Sequence, residues 1–83
     1  MNKNIDKNNI NEKITHIMSL VFKIDKSKIN QESSPDNISR WDSLAHMNLI
    51  LALEEEFKIK FSNEEIIEFL NFNLIYNIIS NKL

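Results

Sequence analysis

The hydroxyl of Ser43 is the group in this chain best placed for covalent chemistry. It follows Asp42 and opens an apolar-rich run, Leu44 to Phe57, that ends in Leu53-Glu54-Glu55-Glu56-Phe57. Asp is a favoured helix N-cap, so the run reads as a helix that starts at Ser43 and ends near Phe57. A hydroxyl in a helix's first turn lies among backbone N–H groups without intrahelical partners, and the helix dipole there favours a phosphate. Such a position suits the attachment of a phosphorylated group. Asp42 beside it is suited to help hold a metal ion or to orient a basic partner. An isolated Asp-Ser pair is better explained as an ordinary helix start, so the surrounding pattern has to decide.

Other chemistry finds less support. His46 lies three residues after Ser43, close enough on a helix for a Ser–His pair. Nucleophilic catalysis would also need an orienting acid and an oxyanion hole, and no nucleophile elbow is present. His46 therefore reads as a surface or partner-contact residue, and Trp41 as a packing residue that staples the helix start against His46. His16 has no companion at metal-ligand spacing. Cys and Gly are both absent, which excludes disulfides, thiolate zinc sites and Gly-rich phosphate loops. No catalytic residue and no metal site is expected.

The elements that would position Ser43 are helical. Ile10, Ile14, Ile17, Met18 and Val21 fall on one face of a first helix at about Asn9 to Phe22. Residues 1–8 read as a flexible start, with Ile5 able to extend the helix backward. From Lys23 to Trp41 the period breaks into a long loop, with Ser33-Ser34-Pro35-Asp36-Asn37 as a turn cluster and Ile24, Ile29 and Ile38 as anchors. In the second helix the apolar stripe is assigned to Leu44, Met47 and Leu51 with a neighbouring row of Ile50, Leu53 and Phe57. Ala45, Asn48 and Glu55 are assigned to the wetter side. Lys58 to Phe61 reads as an extended connector. Ser62 or Asn63 caps a short third helix, with Ile66, Phe69 and Leu70 inward. Asn71 or Asn73 caps a fourth, with Leu74, Ile75, Ile78, Ile79 and Leu83 as its apolar face. The expected fold is an all-α four-helix bundle with a long loop between the first two helices and a short helix III, one domain over residues 1–83.

At 83 residues the core is modest. The net charge of −2 is unevenly spread. From Asp42 to Glu68 seven acids stand against Lys58 and Lys60, whereas the rest of the chain is basic on balance. An acidic half disfavours nucleic acid and suits basic protein partners. No apolar run approaches the ~20 residues of a membrane span, and Met1 to Asn9 is polar, without the core of a signal peptide. A cytoplasmic monomer is expected.

Asp42-Ser43-Leu44, followed by Leu49 and by Ala52-Leu53-Glu54-Glu55-Glu56-Phe57, closely resembles the acyl carrier protein family, with no gap between the serine and the acidic run. Phe22-x-Ile24-Asp25 and Lys28-Ile29 upstream resemble the family's first-loop entry, and Ile59-x-Phe61-x-x-Glu64-Glu65 downstream its connector and third helix. The resemblance runs from about Ile10 to Ile79. It implies that Ser43 carries a covalent 4′-phosphopantetheine arm, placed there from coenzyme A by a phosphopantetheinyl transferase that recognises Asp42 next to it. It further implies that Leu44, Met47, Glu54 and Glu55 meet partner enzymes, such as acyl-transferring, acyl-activating or ketosynthase proteins. The chain itself would then be a carrier of acyl thioesters and not an enzyme. Ala45 and Asn48 stand where housekeeping fatty-acid carriers often place acids, and Arg40-Trp41 replaces a small-residue approach to the serine. These departures point towards specialised carriers of polyketide-type or other secondary pathways. An aminoacyl or peptidyl carrier on the same fold, and a helical interaction module without a cofactor, are the rival readings.

Overall fold

The computed structural model describes residues 7–83, with side chains from residue 9 onward. Among these, the helices are α1 (Lys7–Phe22), α2 (Ser43–Phe57), α3 (Asn63–Ile67) and α4 (Phe72–Lys82), with a single 3₁₀ turn at Lys26–Lys28 in the long loop. The described residues contain no strand, and the alternating stretch Lys58-Ile59-Lys60-Phe61 is a connector with no partner strand, as expected. Helix α1 starts two residues before the expected Asn9, and the supposed flexible start otherwise lies outside the described residues, as does Ile5.

Ile10, Ile14, Ile17, Met18 and Phe22 of α1 are buried together with Ala45, Leu49, Ile50 and Leu53 of α2 and Phe72, Ile75 and Ile79 of α4. They form one apolar cluster, which Ile29, Ile38, Trp41, Phe61 and Phe69 join from the connections and from the end of α3. Helix α1 packs on both α2 and α4.

The long loop is held by its own polar side chains. Asn30 Oδ1 accepts from the Glu32 N–H, Ser34 Oγ from the Asp36 N–H and Asn37 Oδ1 from the Ser34 N–H, at 2.8, 3.2 and 2.9 Å. Such Asx and Ser turns are what these residues do where the backbone is neither helix nor sheet. Ser33 is buried, its hydroxyl accepts from the Asn30 N–H, and its carbonyl accepts from the Phe72 N–H at 2.9 Å. The loop is thus fastened to the start of α4, and Ile29 and Ile38 pin it to the core as expected.

Both long helices stop without glycine. Lys23 and Lys58 take left-handed backbone angles, at φ 58° and 57°. The N–H of Ile24 then reaches the Ser19 carbonyl, and that of Ile59 the Glu54 carbonyl, each at 3.2 Å, which closes the helix end in the Schellman manner. Ser62 caps α3 in a reciprocal box with Glu65. The Ser62 N–H and the Lys82 ammonium, 3.1 Å away, hold the Glu65 carboxyl below the usual carboxylate range. That contribution to the cap is therefore in place above the ordinary Glu range and is lost only as pH falls through the lowered value. Asn71, not Asn73, caps α4, with its Oδ1 accepting from the Leu74 N–H.

Assignments of side chains to faces are corrected in α2, after α3 and in α4. In α2, Leu44 and Met47 lie outward at 73 and 46% exposure, as their reading as partner-contact residues expects, whereas Leu51 is outward at 59% and Ala45 is buried, against expectation. The helix is apolar on most of its circumference, so periodicity alone did not choose a face, and the bulkier row looked like the core. The buried row instead includes the small Ala45. Leu70 and Leu83 are exposed, and Leu74 lies at the surface boundary. Leu70 falls in the α3–α4 turn and Leu83 just beyond the end of α4.

Candidate functional site

Ser43 is the first residue of α2 and is exposed. Asp42 is the N-cap: its Oδ1 accepts from the Ala45 N–H at 2.9 Å, and its carbonyl accepts from the His46 N–H at 2.8 Å. The N–H groups of Ser43 and Leu44 are left without intrahelical partners. A hydroxyl with these two donors beside it at the positive end of a fifteen-residue helix fits a phosphodiester. Asp42 serves in the chain itself as the cap of α2.

Trp41, at the position before the cap, is 5% exposed and lies on His46, with ring centroids 6.3 Å apart and planes 24° from parallel. This is the expected staple, with a hydrogen bond added: the indole Nε1 donates to His46 Nδ1 at 3.0 Å. An indole N–H is only a donor, so Nδ1 accepts and Nε2 carries the proton, facing the Ile66 carbonyl at 3.3 Å. His46 was expected at the surface. It is instead half-buried, because the turn of α2 that begins at Ser43 carries it over α3. Phe69 meets it edge-on at 6.1 Å, Phe61 meets Phe69 edge-on at 4.9 Å, and Phe22 lies 5.0 Å from Trp41. An aromatic chain, Phe22–Trp41–His46–Phe69–Phe61, thereby ties α1, the start of α2 and the end of α3. Sequence reasoning found the Trp41–His46 part from its five-residue spacing. The long-range members carried no local signal.

The acids expected to meet partners divide. Glu55 is exposed. Glu54 turns inward with a side chain only 14% exposed: Oε2 accepts from the Phe61 N–H at 3.0 Å, and Lys60 stands 3.8 Å from Oε1. Glu54 thus holds the connector between α2 and α3. Glu54→Ala removes the acceptor of the Phe61 N–H and is expected to cost about 1–3 kcal/mol in urea unfolding; Glu55→Ala is expected to stay within about 0.5 kcal/mol. Leu44, Leu51 and Glu55 recur at spacings of seven and four residues and so share the outward face that starts at Ser43, with Met47 at its edge.

The curated acyl carrier protein of Buchnera aphidicola subsp. Schizaphis graminum (strain Sg) is 44% identical to this chain over 59 residues, which cover 70% of this chain and 73% of that protein. The solution NMR structure of holo acyl carrier protein from Geobacter metallireducens superposes with a TM-score of 0.79 at 36% identity, over 88% of this chain and 84% of that one. No family model matches the chain. The chain belongs to the acyl carrier protein family, whose members are carriers and not enzymes. The all-helical fold with its long first connection and short α3 is that family's fold.

Proposed function

We propose that this chain carries acyl groups as thioesters on a 4′-phosphopantetheine arm attached to Ser43. The observation that carries the reading is the exposed hydroxyl at the first position of α2, capped by Asp42 and flanked by two unpartnered N–H groups. Likeness to a holo acyl carrier protein supports it. In the attachment step Ser43 Oγ attacks the phosphorus of the coenzyme A pyrophosphate that bears pantetheine. A P–O bond to serine forms, the pyrophosphate P–O bond breaks, adenosine 3′,5′-bisphosphate leaves, and the serine proton passes to a base of the transferase. The arm supplies a terminal thiol, a chemistry that a chain without Cys lacks.

The residues of this chain then have three tasks. Asp42 fixes the start of α2 and so the direction of the Ser43 side chain. The N–H groups of Ser43 and Leu44 offset the phosphodiester charge. Leu44, Met47 and Leu51, with Glu55 further along, offer an apolar stripe ending in an acid to basic, apolar-lined partners: the transferase and acyl-transferring enzymes of fatty-acid, polyketide-type or other specialised biosynthesis. One domain, working as a monomer in the cytoplasm, suffices for these tasks.

Incubation with coenzyme A, Mg²⁺ and a promiscuous phosphopantetheinyl transferase is expected to add one phosphopantetheine to the intact mass, and Ser43→Ala to add none. An unchanged mass under conditions that convert a control carrier would favour a cofactor-free interaction module.

A further inference from the structure

Beside the Ser43 hydroxyl the surface opens into a groove lined by Pro35, Trp41, Asp42, Ser43, His46 and Met47. Trp41 is 5% exposed and His46 half-buried, so their rings form the base, while exposed Pro35 and Met47 stand at the rim. The polar atoms of the base are consumed internally: the indole N–H donates to His46 Nδ1, and His46 Nε2 faces the Ile66 carbonyl. Asp42 Oδ1 is likewise engaged by the Ala45 N–H. What the base offers to the groove is therefore mainly ring surface. It offers this immediately next to the atom at which the arm would be attached.

We propose that this groove seats the pantoyl portion of the arm when the carrier is not docked, with its two geminal methyls against Trp41 and between Pro35 and Met47. The inference rests on the attachment reading. Counting outward from the phosphate, the pantoyl unit is the first apolar part of the arm, so it is the part a tether at Ser43 holds within reach. Tethering at a residue that itself lines the groove sets an effective concentration of about millimolar or more, at which weak apolar contacts are populated. The amide and thiol segments beyond are polar or distant and remain free to reach a partner.

The groove's base reports on its own occupant, because Trp41 is the only tryptophan in the chain. Holo protein is prepared with ¹³C-labelled arm and its loading checked by intact mass. The pantoyl methyl resonances are expected upfield of those of free pantetheine, with nuclear Overhauser contacts to the Trp41 ring protons, and Trp41 emission is expected to differ between apo and holo forms. Pro35→Asp, which places a charge on the exposed rim, and Met47→Ala, which removes the opposite wall, are each expected to return the methyl shifts towards the free values in fully loaded protein. A loaded protein whose methyls keep free shifts and show no contact with Trp41 overturns the groove proposal and leaves the attachment reading standing. Contacts made only by an acyl group at the thiol end overturn it in favour of cargo as the occupant. A chain that gains no mass overturns both readings.

Discussion

Phe69→Ala is expected to cost this protein a large share of its stability. The side chain is 1% exposed and sits edge-on against both Phe61 and His46, at 4.9 and 6.1 Å. Deleting a buried Phe side chain costs about 3–5 kcal/mol, the loss of transfer free energy adding to the cavity left behind. The two aromatic pairs it loses, worth about 0.5–1.5 kcal/mol each beyond area, place it at the upper end of that range. A domain of this size commonly has about 5–15 kcal/mol in all, and each kcal/mol moves its midpoint by roughly 4–8 °C. Helix α3 has only five residues and cannot stand on helix propensity, so the Phe69 anchor just after it decides whether it stays docked. Urea unfolding followed by circular dichroism is the check, with Phe69→Leu expected to lose much less. A Phe69→Ala protein with its midpoint near the parent's would mean that the aromatic chain does not hold α3.

Leu44→Asp combined with Glu55→Lys is expected to lower transfer to and from partner enzymes by about 30-fold or more, the loss of at least one contact of hot-spot size. The fold should be unaffected within about 0.5 kcal/mol, because both side chains are exposed on α2. The two halves separate by salt. The Glu55→Lys part should shrink as ionic strength rises, since exposed charges are screened over about 8–10 Å near physiological salt, whereas the Leu44 part should persist. Equal transfer rates for the double variant and the parent would make the stripe an ordinary solvated face. Glu54 is left out of this variant because its carboxylate carries the Phe61 N–H, and its replacement would confuse stability with docking.

What the sequence made legible follows from how local each signal is. Caps are local: Asp42 is read from residues within one turn and is in place, and of Ser62 and Asn63 the structure selects Ser62, adding a reciprocal bond to Glu65. The helix I stripe was clear because α1 has a polar side, although Val21 is only partly buried in it. Helix α2 has little polar side, so its buried face depended on what packs against it, and Ala45 and Leu51 were assigned the wrong way round. Glu54 shows the same limit at the site. Its neighbours Glu55 and Glu56 are exposed, and nothing within the acidic run distinguishes the one that turns back to a backbone N–H seven residues ahead. His46 was legible as the partner of Trp41 but not as a bridge to Ile66, twenty residues away. Ser43 itself lies where the sequence places it, at the exposed start of α2.

The most direct test of the carrier reading is the mass of the protein taken from the cells that make it. Tandem mass spectrometry of the peptide containing Ser43 is expected to release a pantetheine fragment from that serine, and the mass still attached to the fragment's sulfur identifies the cargo. Finding Ser43 unmodified in all of the native protein, with the transferase active on other carriers in the same cells, would contradict the account.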